Sequence, residues 1–155
     1  MALLVFTALI VVTATVVMHG IGTTQWLQFL ARSQSDSQGL LLPGRRLLIL
    51  VLSATLMISL HLLEIMLWAL VYRLVAPDEL VSLESAAYFS AVTFTTLGYG
   101  DITLSSQWRL LSGFEAIDGI VLIGWTTAFL FAVLQRSWGA IGVRSEKTEA
   151  RHANS

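Results

Sequence analysis

Three long apolar stretches constrain the fold of this chain more than any other feature. The first, residues 1–31, contains no Lys, Arg, Asp or Glu, and the others cover residues 47–72 and 110–134. A helix needs about 20 apolar residues to cross the hydrocarbon core of a bilayer, and each stretch provides that length. Hydrophobic residues make up 55% of the chain and charged residues 12%, which is outside the usual range for soluble domains. We therefore predict an all-α membrane protein with three transmembrane helices.

The first stretch has an alternative interpretation as a cleaved secretory signal. No basic region precedes the apolar run at residues 2–18, and no clear small-residue cleavage site follows it. We therefore predict a retained helix. It has no regularly spaced arginines, so we do not expect a voltage sensor, and we predict that it packs outside the rest of the protein.

Charge and cysteine content exclude several classes of function. The net charge of −1 provides no basic surface for nucleic acid, and the absence of cysteine excludes disulfides, thiolate metal sites and a cysteine nucleophile. The histidines, His19, His61 and His152, are too scattered in sequence to predict a metal site by spacing. We therefore expect that the protein is not an enzyme, that it binds no nucleic acid and that it has no catalytic cofactor.

A fourth apolar segment, residues 86–96, is too short to cross a membrane. It must enter the membrane and return, which leaves backbone groups unsatisfied unless protein or a water-filled cavity surrounds them. Ser82 can cap this short helix, and Glu84 lies in its first turn, where a negative charge suits the helix N-terminus. The pattern predicts a re-entrant pore helix.

The pore helix leads directly into a glycine-containing segment. Potassium selection requires rings of backbone carbonyls that replace the water shell of the ion, so successive C=O groups must face one axis. Gly98 and Gly100 permit the positive-φ conformations that realign carbonyls, and Thr96 can add its hydroxyl oxygen at the inner end.

In this context, residues 88–101 resemble the pore helix and selectivity filter of the potassium channel family, and the resemblance extends over about residues 47–135. It implies a homotetramer in membrane lipid with K⁺ as the permeant ion. The residues implied to coordinate K⁺ or shape the outer mouth are Thr96, Leu97, Gly98, Tyr99 and Gly100. The residues implied to support the filter are Val92, Thr95 and Asp101.

Two positions depart from the family pattern. Val92 stands where some bacterial members carry a glutamate that pairs with the filter aspartate, so inactivation behaviour linked to that pair is not carried over. Leu97 stands where valine or isoleucine is commoner, and its larger side chain is expected to alter packing behind the filter. The chain contains one filter and no internal repeat of it, so a closed ring requires several chains.

The third span resembles the inner helix of the same family. Gly119 is the candidate hinge, although close helix packing explains a membrane glycine equally well. The residues implied to line the cavity and gate at helical spacing are Ile120, Ile123, Thr127 and Phe131.

Four ionisable groups lie inside the spans, where buried charge is costly. Glu64 and Asp118 each lie eight residues from the outer end of their span, about 12 Å deep and level with the pore helix, so we expect them to meet there. His61 shares a helix face with Glu64, and Glu115 shares one with Asp118. We predict a buried polar network of His61, Glu64, Glu115 and Asp118 that braces the pore helix. Two alternatives are a purely structural network and a pH sensor that depends on His61.

Charge distribution predicts the topology. Basic residues lie before the second span and after the third, and such residues favour the cytoplasmic side. We expect the N-terminus outside, the C-terminus in the cytoplasm, and a bacterial inner membrane as the location. The predicted divisions are an additional N-terminal transmembrane helix (1–30), a cytoplasmic loop (31–46), the pore domain (47–135) and a cytoplasmic tail (136–155).

The predicted function is a subunit of a potassium-selective channel. A weakly selective cation channel is one alternative, and a non-conducting subunit that senses potassium is another. A proton-coupled transporter that uses His61, Glu64, Glu115 and Asp118 is a third, although the single filter and the lack of an inverted repeat argue against it. The sequence does not identify the gating stimulus.

Overall fold

The computed structural model describes residues 1–35 and 43–152, with side chains described for residues 1–32 and 44–136. Residues 36–42, in the predicted loop, lie outside this part of the chain. The element order is α1 (Ala2–Ser35), α2 (Pro43–Val75), α3 (Leu83–Phe94) and α4 (Arg109–His152), and the described residues contain no strand. Helices α1, α2 and α4 are long and apolar enough to cross a membrane, whereas α3 has 12 residues and is too short. The predicted all-α membrane fold is confirmed.

The helices extend further than the apolar stretches predict. The segment from Pro43 to Arg46 was expected to end a loop, but it forms the first turn of α2. Proline suits this position because the first turn of a helix has no partner for its N–H groups. At the other end of the chain, α4 continues from the membrane-spanning part, Arg109–Arg136, through His152. No proline interrupts this extension, since the only prolines are Pro43 and Pro77.

Helix α1 runs antiparallel to α2 and parallel to α4. Near its start, Leu4 belongs to a core cluster with Tyr72 at the end of α2 and Leu111 at the start of α4. Near its end, Leu30 belongs to a second cluster with Met57, which precedes Tyr72 on α2, and with Phe129, which follows Leu111 on α4. The N-terminus therefore lies at the same end of the molecule as α3.

The short helix α3 packs against α2 and α4, and α1 packs against the same two helices without contacting α3. Two loops flank α3 and are joined to each other by a carboxylate. Glu79 accepts hydrogen bonds from the backbone N–H of Ser105 (2.7 Å) and from its hydroxyl (2.8 Å). Arg73, in the last turn of α2, also donates to the carbonyl of Leu80. These contacts fix the loops on both sides of α3.

Candidate selectivity filter and buried polar network

The predicted N-cap of the pore helix is confirmed. Ser82 has extended backbone angles, and its hydroxyl accepts a hydrogen bond from the backbone N–H of Ser85 at 3.0 Å. The Ser85 side chain accepts in turn from the N–H of Ser82 at 3.2 Å, which completes a capping box. Glu84 lies in the first turn as expected. The helix ends at Phe94, and Thr95 forms its C-cap.

The backbone φ angles of the residues that follow alternate in sign. Thr96, Gly98 and Gly100 have φ values of 58°, 57° and 78°, whereas Leu97 and Tyr99 have negative φ. An added Cβ at Gly98 or Gly100 would meet no atom within 4 Å, so the positive φ, not lack of space, explains these glycines. In an extended strand, successive carbonyls point to opposite sides. Alternation of positive and negative φ can instead turn successive carbonyls to the same side, as an ion-coordinating column requires.

The end of α3 holds the start of this segment through backbone hydrogen bonds. The carbonyl of Val92 accepts from the N–H of Leu97 at 2.9 Å and from that of Gly98 at 3.2 Å. The N–H of Thr96 donates to the carbonyl of Thr93 at 2.9 Å. Val92, a predicted support residue, therefore contacts the segment with its main chain while its side chain is buried. The hydroxyl of Thr95 donates back into the helix, to Ala91, at 2.7 Å.

Asp101 is held by a residue to which the sequence assigned no role. The hydroxyl of Tyr88 donates to Oδ2 of Asp101 at 2.7 Å. This hydrogen bond, with a smaller effect of the neighbouring carboxylate charge, raises the pKa of Tyr88. Tyr88 precedes Val92 by four residues, so the two side chains lie on the same face of α3. This spacing is the sequence signal that could have identified Tyr88 as a partner of Asp101.

The buried acidic groups separate into three hydrogen-bonded sets, and the first is centred on Glu115. Its carboxylate binds the hydroxyl of Tyr72 at 2.6 Å and the hydroxyl of Ser90. The Ser90 hydroxyl also lies 2.8 Å from the carbonyl of Ile65. Glu115 is on α4, Tyr72 on α2 and Ser90 on α3, so this set joins the pore helix to both helices that flank it.

The second set is centred on Asp118 and involves the first helix. Oδ2 of Asp118 accepts from the hydroxyl of Thr15 at 2.8 Å and from Nε1 of Trp68 at 3.0 Å. Its other oxygen, Oδ1, is buried and has no hydrogen-bond partner among the residues that the structure describes. Because Thr15 lies on α1, this set attaches the additional helix to α2 and α4.

The third set is centred on Glu64 and contains two histidines. Nδ1 of His19 lies 2.9 Å from Oε1 of Glu64, and Nδ1 of His61 lies 2.8 Å from Oε2. The hydroxyl of Thr126 lies 3.0 Å from Nε2 of His61 and 3.4 Å from Nε2 of His19. The contact between His61 and Glu64 agrees with their predicted shared face.

Glu64 and Asp118 are both buried, but no hydrogen bond joins them. The expectation that they meet was based on depth alone, and each binds other partners. The sequence reasoning also missed His19 and Thr15 on α1 and Thr126 on α4, because the sequence does not show which faces of these two helices meet. The hypothesis that these groups sense pH stays a prediction.

The candidate hinge glycine, Gly119, is buried where α4 crosses the end of α3. A Cβ added at Gly119 would overlap the carbonyl oxygen of Phe94, so close packing requires the glycine. The four predicted lining residues follow on α4 and are exposed in the single chain; they are Ile120, Ile123, Thr127 and Phe131. The predicted filter residues from Thr96 to Gly100 are exposed as well. One chain therefore leaves both the filter and this face of α4 uncovered.

Comparison with known families gives one match. A family model described as "Ion channel" matches residues 60–136, which include the end of α2, all of α3, the predicted filter and the membrane-spanning part of α4. No curated protein and no solved structure matches the chain significantly. Through residues 60–136 the chain belongs to the ion channel family, as an integral membrane protein with α1 as an additional helix before the matched region.

Proposed function

We propose that this ion channel conducts potassium selectively and that residues 96–100 form its selectivity filter. The observation that carries the proposal is the alternating sign of φ at these five residues, directly after a pore helix. In this reading, the carbonyls of Thr96, Leu97, Gly98 and Tyr99 coordinate K⁺, and Gly100 shapes the outer mouth. K⁺ is the permeant ion and the only cofactor in the proposal.

We further propose that four chains assemble around the filter. A ring of carbonyls needs one contribution from each subunit, and a single chain has one filter segment. The exposed side chains of Leu97 (55%) and Tyr99 (66%) support this assembly, because a neighbouring subunit would cover them. Exposed Ile120 and Phe131 on α4 fit a surface that faces the cavity or another subunit.

The orientation belongs to the same proposal. Arg45 and Arg46 lie at the end of α2 remote from the pore helix, and Arg136 lies at the corresponding end of the membrane-spanning part of α4. Basic residues near the ends of spans favour the cytoplasmic side, so the pore helix and the N-terminus face outward. We expect this topology in a bacterial inner membrane.

Flux measurements in liposomes test the proposal. Purified wild-type protein should pass K⁺ much faster than Na⁺, and Gly98→Ala should abolish selective flux because alanine disfavours the positive φ of 57°. Gly44→Ala is the matched control, since Gly44 lies in the first turn of α2, does not have positive φ and has no atom within 4 Å of an added Cβ. It should behave like wild type.

Three other results would each favour a different function. Equal K⁺ and Na⁺ flux in the wild type would favour a weakly selective cation channel. No flux in correctly folded and assembled wild type would favour a non-conducting subunit that senses potassium. Uptake of an ion against its gradient, driven by a proton gradient, would instead indicate a transporter.

A further inference from the structure

Two histidines and a carboxylate meet in the interior between α1 and α2. His19 comes from α1, and His61 and Glu64 come from α2. One ligand atom from each lies within 4.8 Å of the other two. The imidazole rings are stacked, with centroids 5.3 Å apart and an interplanar angle of 27°. Nδ1 of each ring lies within hydrogen-bond distance of the Glu64 carboxylate.

We propose that His19, His61 and Glu64 form a binding site for a divalent first-row transition-metal ion, with Zn²⁺ as the best match. Two imidazole nitrogens and one carboxylate oxygen are a common ligand set for Zn²⁺, which binds nitrogen and oxygen ligands at about 2.0–2.2 Å. The ligand atoms need only small movements to surround one ion. Three protein ligands leave one position of a tetrahedral site for water. This proposal does not depend on potassium selectivity.

Thr126 on α4 provides the outer contact that such a site requires. A metal-bound histidine usually donates the proton on its other ring nitrogen to an oxygen, which fixes the orientation of the ring. Here, Nε2 of His61 and Nε2 of His19 lie 3.0 Å and 3.4 Å from the Thr126 hydroxyl. With Nδ1 on the metal, both Nε2–H groups can donate to the two lone pairs of this one oxygen.

Hydrogen-bond counting favours an added cation. Without an added cation, Glu64 accepts one hydrogen bond from Nδ1–H of His19 and one from Nδ1–H of His61. Both rings are then neutral, so Nε2 of each ring carries no proton and needs a hydrogen-bond donor. Thr126 has a single O–H and can satisfy only one ring. A metal ion on the Nδ1 side removes this deficit. A proton that charges one histidine also removes it, and a binding measurement can distinguish the two.

The nearby charges also favour a divalent ion. Glu64 and Glu115 are fully buried and Asp118 is 2% exposed, which places three acidic side chains inside the membrane-spanning bundle. Within the described part of the chain, Oδ1 of Asp118 has no hydrogen-bond partner. A divalent cation bound at Glu64 offsets negative charge in this interior while both histidines stay neutral. Such an ion would fasten α1 to α2 and, through Thr126, to α4.

The test uses Co²⁺ as a spectroscopic probe for Zn²⁺ on untagged, chelator-treated full-length protein in detergent. We expect one Co²⁺ per chain, with the visible absorption of a four-coordinate site, and displacement of Co²⁺ by Zn²⁺. The chain has no cysteine, so no thiolate competes for the metal. His19→Asn and His61→Asn keep an N–H that can bind Glu64 but remove the ligand nitrogen, so each should weaken binding by about 100-fold or more.

Two further variants make the test specific. Thr126→Val should weaken Co²⁺ binding by roughly 10–100-fold, because it removes the oxygen that orients both rings. His152→Asn changes the only other histidine and should bind like wild type. Zn²⁺ should also raise the unfolding temperature of wild type and His152→Asn, but not that of His61→Asn.

Absence of Co²⁺ binding in folded wild type would overturn the proposal and leave a proton as the group that completes the cluster. Equal binding by wild type and His19→Asn, with matching circular dichroism, would overturn it too. Neither result depends on ion flux. A failure of potassium selectivity would therefore be distinguishable from a failure of the metal site.

Discussion

Gly119 of α4 lies directly against the backbone carbonyl of Phe94, the last residue of the pore helix. The two residues bring the third span into contact with the point at which the predicted filter begins. No side chain larger than hydrogen fits there without a shift of the backbone. Any movement of α4 at this level would therefore act on the end of α3, which connects the candidate hinge to the filter physically.

Gly119→Ala should destabilise the protein because its methyl group overlaps the Phe94 carbonyl. Overpacking typically costs about 1–3 kcal/mol, which exceeds the gain of up to about 1 kcal/mol from the better helix propensity of alanine. Thermal unfolding in detergent measures the effect. Gly113→Ala, with no atom within 4 Å of the added Cβ, is the control and should be neutral or stabilising. Equal stability of the two variants would contradict the packing role of Gly119.

The hydrogen bond from Tyr88 to Asp101 predicts a change in tyrosine titration. Because Asp101 raises the pKa of Tyr88, Asp101→Asn should let this tyrosine ionise at lower pH than in the wild type. Ultraviolet absorbance of tyrosinate measures the shift among the three tyrosines, and Tyr88→Phe identifies the group that moved. An unchanged titration curve in Asp101→Asn would show that the two side chains are not coupled.

The buried contact between Thr15 and Asp118 predicts that α1 contributes to stability through a polar group. Thr15→Val removes one of the two donors to a buried carboxylate and should cost roughly 1–3 kcal/mol of unfolding free energy. Thr13→Val is the matched control, since Thr13 lies on the same helix, is exposed, and bonds only to the carbonyl of Leu9. Denaturation in mixed detergent compares the two, and equal effects would argue against this role.

The contact between Tyr72 and Glu115 predicts a similar loss at the pore helix. Tyr72→Phe leaves one oxygen of a fully buried carboxyl group without its partner, at a cost of about 1–3 kcal/mol. Tyr88→Phe makes the same chemical change at an exposed tyrosine and should lower the unfolding temperature less. If Tyr72→Phe unfolds at the wild-type temperature, the hydrogen bond does not brace the pore helix.

The sequence predicted features that depend on neighbouring residues along the chain. The three spans followed from length and apolarity, and the N-cap at Ser82 followed from local hydrogen-bonding chemistry. The positive φ of Gly98 and Gly100 was expected from their alternation around Tyr99. The sequence did not predict the positive φ of Thr96, because threonine rarely adopts that conformation.

Features that depend on how helices rotate against one another were not predictable. Counting residues placed Glu64 and Asp118 at the same depth, but depth does not define the side of a helix on which a residue lies. His19 was set aside as isolated, although the packing of α1 brings it to 2.9 Å from Glu64. The role of Gly119 could not be assigned from the sequence either, because glycine is expected both at a helix hinge and at a close contact between helices.

The reversal potential of the channel tests potassium selectivity most directly. Protein reconstituted in a planar bilayer, with K⁺ on one side and Na⁺ on the other, should give a current that reverses far toward the K⁺ equilibrium potential. Gly44→Ala should give the same value, and Gly98→Ala should not conduct selectively. A wild-type reversal potential near zero would show that K⁺ and Na⁺ pass equally and would contradict the assignment of residues 96–100 as a potassium filter.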